Sequence, residues 1–100
     1  MIDYNSIEFA LYDRGFKAFA TPRTLRFVYD VAKNYDVSVE FRYLSDEIEI
    51  YGFANKMCAY RRKGKFTKQE VLSYIDECLI LLKNMIVRKR ITDIDKDFNK

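Results

Sequence analysis

FTKQEVLSYIDECLILLKNMIV, residues 66–87, is the stretch whose reading decides the fold. Thr67 has the side-chain oxygen of an N-cap, and Glu70, three residues on, can reach back to the capping backbone N–H. Phe66 and Val71 stand where a hydrophobic staple holds the entry to a helix. Beyond them Val71, Leu72, Ile75, Cys78, Leu79, Leu82, Met85 and Ile86 recur at helical spacing and fill about half the circumference. The spacing predicts a long core helix over residues 68–88. Ile80 and Val87 fall on its otherwise polar side, seven residues apart. Either the tail or the N-terminal segment covers them, or they form a homodimer seam at heptad spacing.

Upstream, residues 37–52 read as a hairpin. Val37, Val39, Phe41 and Tyr43 alternate with Ser38, Glu40, Arg42 and Leu44; Ile48 and Ile50 then alternate with Glu47, Glu49 and Tyr51. One face packs inward, and on the other Arg42 can pair with Glu47 or Glu49. The chain turns at Ala54-Asn55 and returns as a third strand over residues 57–61. Before the hairpin, Thr21-Pro22 has the form of an N-cap followed by Pro at the first helical position. This predicts a helix that buries Leu25, Phe27, Val28, Tyr29, Val31, Ala32 and Tyr35 and ends at Asp36. In residues 5–20, Ile7, Phe9 and Leu11 alternate with Glu8, Ala10 and Tyr12, which suits a strand; Asp13-Arg14-Gly15 would turn it into a second. A short helix over residues 5–12 is the alternative. The tail ITDIDKDFNK, residues 91–100, carries Ile91, Ile94 and Phe98 at helical spacing and adds a turn or two before fraying.

The expected class is therefore α+β, in one domain over residues 1–100. It has an N-terminal strand or hairpin, a helix, a three-stranded antiparallel meander and a long C-terminal helix packed on the sheet. Over residues 21–90 this α-β-β-β-α order is similar in topology to that of double-stranded-RNA-binding domains. Their dense lysine entry to the last helix corresponds to Lys63-Gly64-Lys65-Phe66-Thr67-Lys68. Where their first hairpin loop enters a minor groove, Leu44-Ser45-Asp46-Glu47 is acidic and repels phosphates. No family membership follows from topology alone.

An apolar fraction of 49% with 16% aromatics sets the chain apart from disordered segments. Cys58 and Cys78 lie apart from any C-x-x-C motif and read as buried free thiols in a reducing compartment. MIDYNSIEF has acids where a secretory leader has bases, and no window is apolar enough to span a bilayer. A cytoplasmic protein with no membrane partner is expected.

Catalytic chemistry finds little support. His is absent, which removes the commonest general base and transition-metal ligand. No serine sits in a nucleophile elbow, and neither cysteine has a base beside it. Glu40, Glu47 and Glu49 can share one hairpin face, as acids of two-metal nucleases do, but Tyr51 stands where such sites commonly place Lys. Asp93, Asp95 and Asp97 open like an EF-hand loop, yet Phe98 occupies the turn glycine's place. A non-enzymatic protein with no metal and no small-molecule cofactor is the expectation.

Charge is more informative. The net charge is +3, but residues 1–50 hold six basic and nine acidic side chains while residues 51–100 hold twelve and six. Within residues 55–68, Lys56, Arg61, Arg62, Lys63, Lys65 and Lys68 occur with no acid among them, interleaved with Tyr60 and Phe66. Cations at a helix entrance oppose the macrodipole but can join its free N–H groups in gripping phosphate. Arg23 and Arg26 sit at the other expected helix entrance and would extend the strip. Arg61, Arg62, Lys63, Lys65, Lys68, Arg23 and Arg26, with Tyr60 to stack on a base, are the candidate nucleic-acid-binding set. The expected function is a small accessory or regulatory protein of viral or mobile-element type that engages nucleic acid or a nucleoprotein complex. The rival expectation is a protein-interaction module, an inhibitor or adaptor, homodimeric through Ile80 and Val87.

Overall fold

The computed structural model describes the backbone of residues 2–98 and the side chains through residue 90. In chain order it runs α1 (Tyr4–Asp13), β1 (Lys17–Ala20), β2 (Thr24–Ala32), β3 (Tyr35–Arg42), β4 (Glu47–Ala54), β5 (Met57–Gly64) and α2 (Lys68–Phe98). The α+β class holds. The strands form one antiparallel meander in the order β1-β2-β3-β4-β5, and both helices pack on the same face of it.

The long helix forms as its local signals dictate. Thr67 N–H donates to Glu70 Oε1 at 3.1 Å and Glu70 N–H to Thr67 Oγ1 at 3.2 Å, a complete capping box. Val71, Ile75, Cys78 and Leu82 are fully buried, while Leu72, Leu79, Met85 and Ile86 pack half-buried around them. Truncating a side chain such as Ile75 to Ala would cost about 2–5 kcal/mol. The helix continues to Phe98, so the tail extends it; the side chains of Ile91, Ile94 and Phe98 lie outside the described residues.

Two expectations fail. The first segment is a helix, the alternative reading of residues 5–12, and not the expected strand or hairpin. Asp3 caps it by accepting from Ser6 N–H at 3.2 Å. It ends in a Schellman motif, with Gly15 at φ 90° and the N–H of Phe16 on Leu11 O at 3.0 Å. Ile7 and Leu11, one turn apart, are buried, whereas Phe9 is 71% exposed, which separates helical from strand periodicity. Asp13-Arg14-Gly15 does lead into a short strand, β1.

The second correction concerns residues 22–35, expected as a helix and found as β2 with the start of β3. Thr21-Pro22 also satisfies the first two positions of a β-turn: Thr21 N–H donates to Thr24 O at 2.8 Å, and Thr24 N–H to Thr21 Oγ1 at 3.0 Å. The β-branched and aromatic run Thr24, Phe27, Val28, Tyr29, Val31 then favours a pleated strand. The sheet thus has five strands rather than three. The α-β-β-β-α order, and the likeness to double-stranded-RNA-binding domains that rested on it, do not survive.

The hairpin over residues 37–52 is present as β3 and β4, with Val39 opposite Ile50 and Phe41 opposite Ile48 on the buried face. The β4–β5 connection is two residues long, Asn55 and Lys56, at φ 53° and 69°, as a type I′ hairpin requires. Phe41 packs against Phe27 and Tyr4, each with ring centroids 5.0 Å apart, at the centre of the core. Cys78 is buried there and burial pushes its thiol up to about 12, whereas Cys58 is exposed, so only one of the two thiols behaves as expected. Among the described residues no helix is long and apolar enough to cross a membrane.

Gly52 sets how closely α2 approaches β4. A Cβ here would fall well inside van der Waals contact of Cys78 Sγ and 3.1 Å from Tyr60 Cβ. Gly52→Ala should lower stability by about 1–3 kcal/mol through overpacking, read as a shift in urea midpoint at unchanged slope. Adding Cys78→Ala should recover part of the loss, because the two changes share one contact.

Candidate nucleic-acid interface

With both helices on one face, the other face of the sheet is lined, among the described residues, by strand side chains. Strand register arranges them in rows. One row crosses all five strands as Phe19, Arg26, Glu40, Glu49 and Lys63; the next runs Lys17, Val28, Ser38, Tyr51 and Arg61. Thr24, Arg42 and Glu47 form a shorter row on one side, and Asp30, Asp36 and Phe53 on the other.

Glu40 and Glu49 stand directly opposite each other, an arrangement that repels unless cations intervene. Four do. Arg26 Nη2 lies 3.5 Å from Glu40 Oε2 and Arg42 Nη2 lies 3.8 Å from Glu40 Oε1. Arg42 Nε pairs with Glu49 Oε1 as an ion contact without a well-directed hydrogen bond. Arg61 Nη2 is 3.6 Å from Glu49 Oε2, Lys63 Nζ is 4.0 Å from Glu49 Oε1, and the Tyr51 hydroxyl donates to Glu49 Oε2. Depth separates the two signs: the Glu49 side chain is 1% exposed and that of Glu40 12%, while Arg26, Arg42, Arg61 and Lys63 are 40–59% exposed. In the row of Glu40 and Glu49 the carboxylates are sunk and the cation heads reach water. Negative charge is concentrated at one end, where burial and then Asp30 raise the Asp36 carboxyl above its usual range.

The predicted set divides accordingly. Arg61, Lys63 and Arg26 come together on the open face. Arg62 and Tyr60, one pleat out of phase, turn to the helix side. There the Tyr60 hydroxyl donates to Glu77 at 2.8 Å, and the Arg62 guanidinium lies 5.7 Å from the Tyr60 ring centre and 5.3 Å from that of Tyr74. Burial pushes the Tyr60 phenol up to about 12, with Glu77 reinforcing and Arg62 opposing, so it remains a donor throughout the neutral range. Its ring is engaged by Arg62 rather than held out for a base. Lys65 and Lys68 flank the entrance of α2 in a depression of about 320 Å³ shared with Asp3 and Asp46. Thr67 and Glu70 already cap that entrance. Arg23 lies in the β1–β2 turn, not at a helix entrance, and lines a hollow with Arg42 and Leu44. On α2, Ile80 and Val87 are 62% and 51% exposed, so α1 does not cover them; the tail side chains lie outside the described residues.

Residues outside the predicted set complete the face. Arg42 and Glu49 are central; strand alternation offered Glu47 or Glu49 as the partner of Arg42, of which the structure pairs Glu49, and it also placed Glu40 and Glu49 on one face. Tyr51 and Phe53 lie on that face with ring centroids 5.7 Å apart and planes 21° from parallel. Phe19, 55% exposed, walls a pocket of about 420 Å³ with Thr21, Thr24, Arg26, Val28 and Glu40. Among the described residues no three potential ligands converge on a metal site.

Glu49 anchors the cluster, so Glu49→Ala should leave Arg61 and Lys63 without their acid and Arg42 with Glu40 alone. The expected loss is about 2–3 kcal/mol, below that of a fully sealed ion pair because the cation heads remain half in water. Urea unfolding measures it, and Glu49→Gln, which keeps the shape and an acceptor, should cost less. No protein-family model, no curated protein and no solved structure matches this chain, so its function is argued from the geometry of this face.

Proposed function

We propose that this chain is a small non-enzymatic accessory or regulatory protein, of viral or mobile-element type, that engages nucleic acid or a nucleoprotein complex. The observation that carries the reading is the layering of charge on the open face: exposed Arg26, Arg42, Arg61 and Lys63 over the sunken carboxylates of Glu40 and Glu49. Such a surface presents cations to a phosphate backbone while the acids beneath hold them in place. Lys65 and Lys68 extend the cationic track from the end of β5 to the start of α2. Arg23 borders it from the β1–β2 turn. Tyr60 and Arg62 serve the β5–α2 contact instead.

Fluorescence polarisation with labelled single-stranded DNA, duplex DNA and duplex RNA at two salt concentrations tests the reading. Micromolar or tighter binding that weakens steeply with salt is expected, because displaced counterions contribute about 0.7–0.9 to the log–log slope per phosphate neutralised. Lys65→Ala with Lys68→Ala, which removes no ion pair among the described residues, should reduce that slope by about one for each phosphate no longer neutralised. Absence of binding at low salt would overturn the proposal.

A second reading, an inhibitor or adaptor that homodimerises through α2, draws on the exposure of Ile80 and Val87. It predicts a solution mass of two chains by light scattering, reduced to one by Ile80→Asp. A single-chain mass for the unaltered protein would remove it.

A further inference from the structure

The open face also bears on which form of nucleic acid it would take. Resting on the nucleic-acid reading above, we infer that the ligand is a single strand, laid across the sheet with its bases on the aromatic and acidic centre and its phosphates over the β5 cations. Three features, independent of net charge, carry this.

The first is the aromatic pair. Tyr51 and Phe53, both partly exposed, present nearly parallel rings on the same face as Arg61. Bases inside a duplex are stacked on one another and their ring faces are closed, whereas those of a single strand are open to stacking on protein rings. The second is the pocket between β1, β2 and β3. Phe19 stands in water as its wall, Val28 supplies apolar surface, and Arg26, Glu40 and the hydroxyls of Thr21 and Thr24 offer both donors and acceptors. That combination suits a planar ring with hydrogen-bonding edges, and its volume of about 420 Å³ lies in the small-ligand range.

The third is the order of charges across the face. Going from β5 to β1, Lys63 comes first, then Glu49, Glu40, Arg26 and Phe19. A phosphate over the two carboxylates would be repelled, but a base there can donate its exocyclic N–H groups to Glu40, as cytosine and adenine amines do to carboxylate and amide oxygens. The backbone is thus favoured along Arg61 and Lys63, and the bases inward. The rounded phosphate surface of a duplex would meet only the rim.

The test uses the full chain and one mixed-sequence 12-mer, offered as single-stranded DNA, single-stranded RNA and the DNA duplex, at one low salt concentration. Binding to at least one single strand should exceed duplex binding by tenfold or more. Phe19→Ala and Phe53→Ala should each weaken single-strand binding roughly 5- to 100-fold, the range for removing one ring on which a base stacks, and leave duplex binding unchanged. Tyr51→Phe, which keeps the ring, should retain most of the affinity, and circular dichroism confirms that each variant is folded. Equal or tighter duplex binding would overturn the single-strand inference and leave the nucleic-acid reading standing. So would full retention of single-strand binding in folded Phe19→Ala and Phe53→Ala while Lys65→Ala with Lys68→Ala loses it. Failure of every probe to bind would overturn both.

Discussion

The seating of Val71, Ile75, Cys78 and Leu82 of α2 on the central strands is the contact on which the rest depends. A five-stranded meander has two faces, and these four side chains, with Ile7 and Leu11 of α1, can cover only one of them. Val37, Val39, Phe41, Ile48 and Ile50 point to that side and are sealed from water. Gly52 permits the close approach, since the Cys78 sulfur occupies the space of a β-carbon. Burial of this one face supplies the hydrophobic driving force. It also determines what the opposite face must be, because each strand alternates between the two sides.

That opposite face cannot rely on apolar burial. Charged and aromatic side chains packed edge to edge shield its backbone instead, and the price is two glutamates placed directly opposite each other. Their repulsion is offset by four cations and a tyrosine hydroxyl. The long stems of arginine and lysine cover the carboxylates while their heads stay in water. The result is a layered centre, with the two glutamates inside and the cations outside. Net charge over the face says little about what a ligand would meet, because the two signs lie at different depths.

The same layering connects structure to the proposed function. A cation that is already paired with an acid loses less freedom when it meets a phosphate than one on an unrestrained lysine tip, so ordering of the face favours affinity. The acids also discriminate. In the proposed binding mode they would oppose phosphate at the centre of the sheet and accept N–H donors there, which would separate the backbone from the bases. The helix-side groups Tyr60, Arg62, Tyr74 and Glu77 have a different task, joining β5 to α2.

Local chemistry in the sequence alone determined several parts of this protein. The capping box of Thr67 and Glu70, the apolar stripe of α2 and the alternation of β3 and β4 involve neighbours a few residues apart, so short-range patterns contain all the information. The same alternation put Arg42 within reach of Glu47 or Glu49, and the tertiary structure chose Glu49. Other segments were ambiguous at that range. Thr21-Pro22 serves a helix start and a β-turn equally well, and the apolar residues of β2 lie on both faces, so periodicity could not choose. Ile7, Phe9 and Leu11 fit a strand, although Asp3 and Gly15 carried the signals of a helix start and stop. The candidate site was least legible. Residues 61–68 form one basic run in sequence, but the pleat sends Arg61 and Lys63 to one side and Arg62 to the other. Only tertiary structure brings Arg26 and Arg42 beside them and sets Tyr51, Phe53 and Phe19 on the same surface, because strand register, unlike helix capping, is decided by residues far apart in the chain.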